Sequence, residues 1–117
     1  MNIIFGTKEA EQLKEKYIVL ELDTITIRNS DPIVAYCIVD TMPIDNLSKT
    51  EPFIKLHSDL MENYRKKDWN YCEQAIEQLR GFWGADTDTF YDSLLSRIKE
   101  YQQSEPDDSW TGIVAKN

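Results

Sequence analysis

Between Phe53 and Tyr101 apolar residues return at intervals of three and four, three times over, and that periodicity commits this half of the chain to helices. The first stripe is Phe53, Leu56, Leu60 and Tyr64, widened by Met61. The second is Trp69, Cys72, Ile76, Leu79 and Trp83; the third is Tyr91, Leu94, Ile98 and Tyr101, with Phe90 and Leu95 beside it. Pro52 suits the first turn of a helix starting near Thr50 or Glu51. Arg65-Lys66-Lys67 places positive charge at the negative end of that helix's dipole. The turn at Lys67-Asp68 is so short that the first two helices must run antiparallel, and Cys72 and Ala75 are small enough to let them approach closely. Gly81-Phe82-Trp83-Gly84 ends the second helix, and Asp86-Thr87-Asp88-Thr89 offers capping oxygens for the third.

The first forty residues follow a different period. Asn2 to Phe5 reads as a short strand ended by Gly6, with Thr7 as the cap of a short helix over 8–16 whose narrow stripe is Ala10, Leu13 and Tyr17. Tyr17–Ile27 and Ile33–Val39 are dense in β-branched residues and flank the breaker Asn29-Ser30-Asp31-Pro32, which makes an antiparallel hairpin. Leu20 and Leu22 set the apolar face on even positions, whereas Ile25 and Ile27 set it on odd ones. Side chains alternate strictly along a strand, so this change of phase predicts a β-bulge or strong twist near 23–25, or a hairpin end that leaves the sheet. Ile33–Val39 is apolar on both faces, so one face should meet the helices and the other the N-terminal segment or a second copy of the chain. The hairpin Tyr17–Val39 is therefore the candidate homodimer contact.

These readings combine into one α+β domain over 1–117: a small antiparallel sheet made of the hairpin and an N-terminal strand, packed on a three-helix segment. The β-rich half is 1–45 and the helical half 46–103, with the segment around Pro43 as the connection between them. Residues 104–117 form a tail in which the acidic break around Asp107-Asp108 precedes an apolar Trp110-Thr111-Gly112-Ile113-Val114, so Trp110 is expected to dock back on the fold.

Charge excludes more than it proposes. With 21 acids against 13 bases the formal net charge is −8, which repels phosphate backbones and argues against direct nucleic-acid binding. The opposite possibility, an acidic mimic of DNA that inhibits a nucleic-acid enzyme, requires acids in paired rows on one face. The opening Met1-Asn2-Ile3-Ile4-Phe5-Gly6 has no basic leader, and no apolar run approaches the ~20 residues a bilayer requires, so a cytoplasmic protein without a membrane span is expected. Cys37 and Cys72 lie inside apolar patterns without Cys-x-x-Cys spacing and read as buried, reduced thiols.

No catalytic or metal constellation rises above background. Asp86, Asp88 and Asp92 resemble the start of a calcium loop, but the sixth place lacks glycine and the twelfth holds Arg97. Glu21 and Asp23, two apart on one strand face, are the candidate carboxylates for acid–base work; an exposed strand face carries such pairs routinely, and no nucleophile accompanies them. His57, the only histidine, flanks the first stripe as a part-buried helical residue. No glycine-rich phosphate loop and no cofactor site is present. Tyr71, off the stripes, together with Phe82 or Trp83 at the end of the second one, are the candidate protein-contact residues.

The order Phe53, Leu60, Tyr64, Asp68-Trp69, Cys72, Ile76, Leu79, Asp86 or Asp88, Tyr91, Arg97, Tyr101, Pro106, Trp110, Gly112 resembles the tetratricopeptide-like helical tail of bacterial class III adenylate and guanylate cyclases. Cys72 stands where that pattern usually has alanine. Nothing before Thr50 resembles the cyclase catalytic domain, so the resemblance implies a packing and docking module and carries no cyclase activity. The expected function is accordingly a small acidic, non-enzymatic accessory protein acting on a protein partner. The alternatives are the DNA mimic and a small-ligand binder or enzyme with a pocket between sheet and helices.

Overall fold

A computed structural model of the protein describes residues 2–27, 31–39, 47–107, 110 and 112–116. The expected breaker at 29–30, the connection around Pro43 and Asp108 lie outside the described residues. The elements run β1 (Asn2–Phe5), α1 (Thr7–Leu13), β2 (Ile18–Ile27), β3 (Ile33–Val39), α2 (Leu47–Arg65), α3 (Trp69–Leu79), α4 (Ala85–Gln103) and β4 (Ile113–Lys116). The protein is α+β: β1, β3 and β2 form the antiparallel sheet, and α2–α4 pack against it. The order is β1-β3-β2-β4, the last strand joining β2 in parallel, a strand the sequence reading did not foresee.

Strand alternation divides the apolar residues between two layers. Ala35, Cys37 and Val39 of β3 and Ile18, Leu20 and Leu22 of β2 face α2–α4 in the main core. Tyr36 and Val19, on the opposite face, pack with Ala10 of α1. The two-sided apolar pattern of β3 is thus satisfied within one chain, by helices on both faces of the sheet. Helix α1 begins at Thr7 itself and ends at Leu13. The Gly6 N–H stays in the sheet, donating to the Val34 carbonyl at 3.0 Å, while the Gly6 carbonyl accepts from Ala10 N at 3.3 Å. A single residue therefore belongs to both strand and helix, which its φ of 102° permits and an L side chain would resist. The Thr7 hydroxyl, expected as a cap, lies 3.2 Å from the Tyr36 hydroxyl instead.

The change of phase in β2 is a bulge. Glu21 pairs with Tyr36 and Thr24 with Val34, three steps on one strand against two on the other. Beyond it the strand stays in the sheet, with Ile25 opposite Ile33 on one side and Val114 on the other.

Helix α2 begins at Leu47, so Pro52 lies inside the helix rather than in its first turn. Its end is a Schellman turn: Asp68 N–H donates to Asn63 O at 3.0 Å and Lys67 N–H to Tyr64 O at 3.1 Å, with Lys67 at φ 65°. Asp68 then caps α3, accepting from Tyr71 N at 3.2 Å, so one short turn closes one helix and opens the next. Cys72 and Ala75, 0% and 2% exposed, fill the contact between these helices, as their size predicts. At α4 the expected capping role of the acids is replaced. Gly84 occupies the cap position, Asp86 and Asp88 sit in the first turn, and Asp88 accepts from Gly81 N at 2.8 Å.

The tail returns to the fold. Trp110, Tyr64, Trp69 and Tyr101 touch one another in every pairing, with ring centroids 5.2–6.4 Å apart. Lys67 Nζ holds the incoming chain by the carbonyls of Pro106 and Asp107, at 3.0 and 2.9 Å. Gly112 then turns it toward β4 at φ 82°, where a Cβ would lie 3.1 Å from Arg65 Cγ. Gly112→Ala is expected to cost about 1–2 kcal/mol from the left-handed conformation and the crowding. The readout is a lowered urea midpoint with red-shifted tryptophan emission; an unchanged midpoint would mean that the docked tail adds nothing to stability.

Candidate functional site

Strand β2 is where sheet, helices and tail converge. Glu21 forms an ion pair with Arg65 of α2, and Asp23 holds Arg97 of α4 through both guanidinium nitrogens, at 2.9 and 3.0 Å. The sequence reading placed these two carboxylates together on a solvent-facing strand. Instead each is taken by an arginine from a different helix, because the bulge that follows Glu21 re-aims the side chains around it. The Asp23–Arg97 pair is mostly covered, with side chains 17% and 24% exposed, and its hydrogen bonds keep the Arg97 guanidinium far above its ordinary pKa. Each acid is thus held by an arginine of the helical layer.

His57 is 1% exposed and both ring nitrogens are engaged. Nε2 lies 2.5 Å from the Glu21 carbonyl and Nδ1 2.8 Å from the Tyr91 hydroxyl. A carbonyl only accepts, so Nε2 carries the proton and donates; Nδ1 is then the bare nitrogen of a neutral imidazole and accepts from Tyr91. Burial enforces the same state, lowering the imidazole to about 4. The part-buried histidine expected from the sequence is thus fully buried, a bridge between β2 and α4.

The same Glu21 carbonyl shows which way the strand edge faces. It points away from β3, toward α2, so by the two-residue alternation of a strand the N–H and C=O of Val19 point outward as well. On that outer edge β4 pairs only with Thr24–Ile27, so among the described residues the stretch Ile18–Asp23 has no neighbouring strand. A concavity of about 340 Å³ opens there. Its floor is the unbroken run Tyr17–Glu21, one wall is Lys14 and Tyr36 on the α1 side, and the other is Ile54, His57 and Ser58 of α2. Its surface is mainly aliphatic and aromatic, with the Lys14 ammonium as its cation.

The contact residues expected from the sequence lie elsewhere. Trp83 is 3% exposed and belongs to the core, so it presents no surface. Phe82 is half-buried, stacked on Phe53 with centroids 3.8 Å apart and edge-on to Trp83 at 4.7 Å. Tyr71 is half-buried beside Asp59 and Lys55, burial chiefly raising its phenol. None of the three lines the concavity. Its residues carried no motif; the phase change in β2 was the one signal in their neighbourhood. Cys37 and Cys72 are buried free thiols, pushed up by burial to about 11 and about 12, which keeps them protonated and unreactive. Among the described residues no cluster of His, Cys, Asp and Glu is placed to hold a metal ion, and no helix is long and apolar enough to cross a membrane.

No protein-family model, curated protein or solved structure matches this chain.

The His57 bridge sets a pH dependence with a definite sign. The unfolded imidazole takes a proton near pH 6.5, the folded one only near 4, so unfolding takes up a proton in between. Stability is full above pH 6.5 and is lost as pH falls from 6.5 to 4, by about 3 kcal/mol in all. His57 is the only histidine and carboxylates titrate mostly below pH 5, so urea midpoints between pH 7 and 5 report chiefly on it. His57→Gln, which keeps a donor and an acceptor, should abolish that slope; a slope that persists would remove His57 as its source.

Proposed function

We propose that the protein is a small acidic, non-enzymatic accessory module of the cytosol that takes an extended segment of a partner protein as an added strand along Ile18–Glu21. The observation that carries this reading is the half-covered edge of β2. Its second half is paired by the chain's own β4, while its first half has no strand beyond it among the described residues and floors an apolar slot; the Glu21 carbonyl is taken by His57, so the outward groups left for a partner are the Val19 N–H and C=O and the Glu21 N–H. Strand addition uses both at once: main-chain hydrogen bonds supply affinity and alternate side chains enter the two walls. At about 3.3 Å per residue the floor accepts roughly four residues of partner. Their side chains would turn alternately toward Tyr36 and toward Ile54, which favours β-branched or aromatic residues at those places. The net charge of −8 favours basic residues flanking them.

Other features agree with a binding role. The single imidazole is committed to two structural hydrogen bonds, and Glu21 and Asp23 to arginines. Further acids are matched locally by cations, Glu11 by Lys14, Asp59 by Lys55, Glu62 by Lys66 and Asp92 by Arg80, a dispersed pattern unlike the unneutralised rows of a DNA mimic. The resemblance of the residue order after Thr50 to a cyclase helical tail, read from the sequence alone, implies a docking module too.

Ser58 is exposed at the rim of the slot, so Ser58→Trp should fill it without disturbing the core. Peptides selected by display on the wild-type protein are expected to be extended and apolar with basic flanks. They should lose at least tenfold in affinity on Ser58→Trp and protect the Val19 and Glu21 amides from hydrogen exchange. Equal binding to the variant, or protection confined to the surroundings of Tyr71 and Phe82, would overturn the slot as the contact.

A further inference from the structure

The other margin of the sheet is also open. Strand β1 ends the order β1-β3-β2-β4, so the edge it turns away from β3 has no neighbour among the described residues. Natural edge strands are guarded by lysine, proline, a bulge or a covering element. Asn2-Ile3-Ile4-Phe5 contains no charge and no proline, and its register with β3 is regular throughout. Ile3 and Phe5 are 50% and 53% exposed, more than the other large apolar side chains among the described residues, and Ile33 at the nearby end of β3 is 36% exposed. Ile3 stands opposite Cys37 and Phe5 opposite Ala35, so both lie on the face that elsewhere carries α2–α4.

We infer that β1 pairs antiparallel with β1 of a second copy of this chain, joining two sheets into one across a two-fold axis. Apolar self-complementarity selects this occupant, since the exposed Ile3 and Phe5 of one copy can cover the Phe5 and Ile3 of another. Two chains of −8 repel, which confines their contact to a patch such as Asn2–Phe5 that sets no like charges against each other and makes the association stronger at high salt. Self-pairing also has one consistent register. A two-fold axis perpendicular to the sheet keeps like faces together, so Ile3 must oppose an outer-face residue of the other copy. Centring the axis on Ile4 sets Ile3 against the second Phe5, Phe5 against the second Ile3, and Ile4 against itself. Backbone polarity agrees. Gly6 N–H bonds inward to Val34 O, so in the regular strand Ile4 also turns inward, while the N–H and C=O of Ile3 and Phe5 turn outward. In that register Ile3 and the opposing Phe5 exchange both of their hydrogen bonds, and the symmetric pair does the same. Strands of four residues bury well under the roughly 800 Å² per partner of a standard interface, so the dimer is weak and forms at high protein concentration.

Sedimentation equilibrium from micromolar to millimolar protein is expected to show the mass rising from 13.7 kDa toward its double, with the Ile3 and Phe5 amides gaining protection from hydrogen exchange over the same range. The double variant Ile3→Lys/Phe5→Lys should remain a monomer with an unchanged urea midpoint, since both side chains are exposed. Mixing it with Ile3→Glu/Phe5→Glu should restore dimers, because position 3 of one copy faces position 5 of the other. A mass that stays at 13.7 kDa at millimolar concentration would overturn the inference, as would dimers that persist in the lysine variant. This surface lies across the sheet from the β2 slot, so failure here leaves the peptide reading standing, and failure of peptide selection leaves this one standing.

Discussion

The attachment of α2 and α4 to β2 through charged and polar groups is the constraint on which the rest of the arrangement rests. Apolar burial drives the helices onto the sheet but is nondirectional, so it does not by itself fix the rotation and offset of each helix. The Asp23–Arg97 fork, the Glu21–Arg65 pair and the His57 bridge do. Each requires one rotation and one offset of its helix, and a partly buried charge deprived of its partner is costly. They meet where the bulge adds a residue to β2, so a local irregularity in the strand coincides with the contacts that fix the helices.

That geometry has consequences at both margins of the sheet. At β2, the aromatic cluster of Tyr64, Trp69, Tyr101 and Trp110 and the turn at Gly112 bring the tail alongside the strand only after the bulge. The chain approaches from α2, over Arg65, and reaches the sheet at Thr24. The first half of the edge is left to the slot. At β1 the four-residue strand extends beyond the cover of the helices, which leaves Ile3 and Phe5 outside the core that takes in their partners Cys37 and Ala35. Among the described residues the sheet thus has one edge half covered by β4 and another, at β1, without a neighbouring strand, for separate physical reasons.

Much of this was written in local pattern. The three stripes at helical spacing, the short turn at Lys67-Asp68 and the small pair Cys72 and Ala75 depend on neighbours three to seven residues apart, so the helical half was legible to within a few residues. The phase change between Leu22 and Ile25 announced the bulge for the same reason. The helix starts were less legible. Thr7 and the acids after Gly84 have the chemistry of caps, but glycine took the positive φ that those turns required.

By itself, then, the sequence determined the α+β class, the hairpin and its bulge, the antiparallel helices and the return of Trp110, all of which follow from side-chain period, turn length and the drive to bury large apolar groups. Only the tertiary structure decided that Glu21 and Asp23 face arginines 44 and 74 positions away, that Trp83 belongs to the core, that β4 covers half of β2 and that α1 covers the outer face of β3. Those outcomes depend on which distant segments meet. Pairings between residues far apart in the chain leave no periodicity in a single sequence, because the energy that selects them exists only once the layers have been stacked.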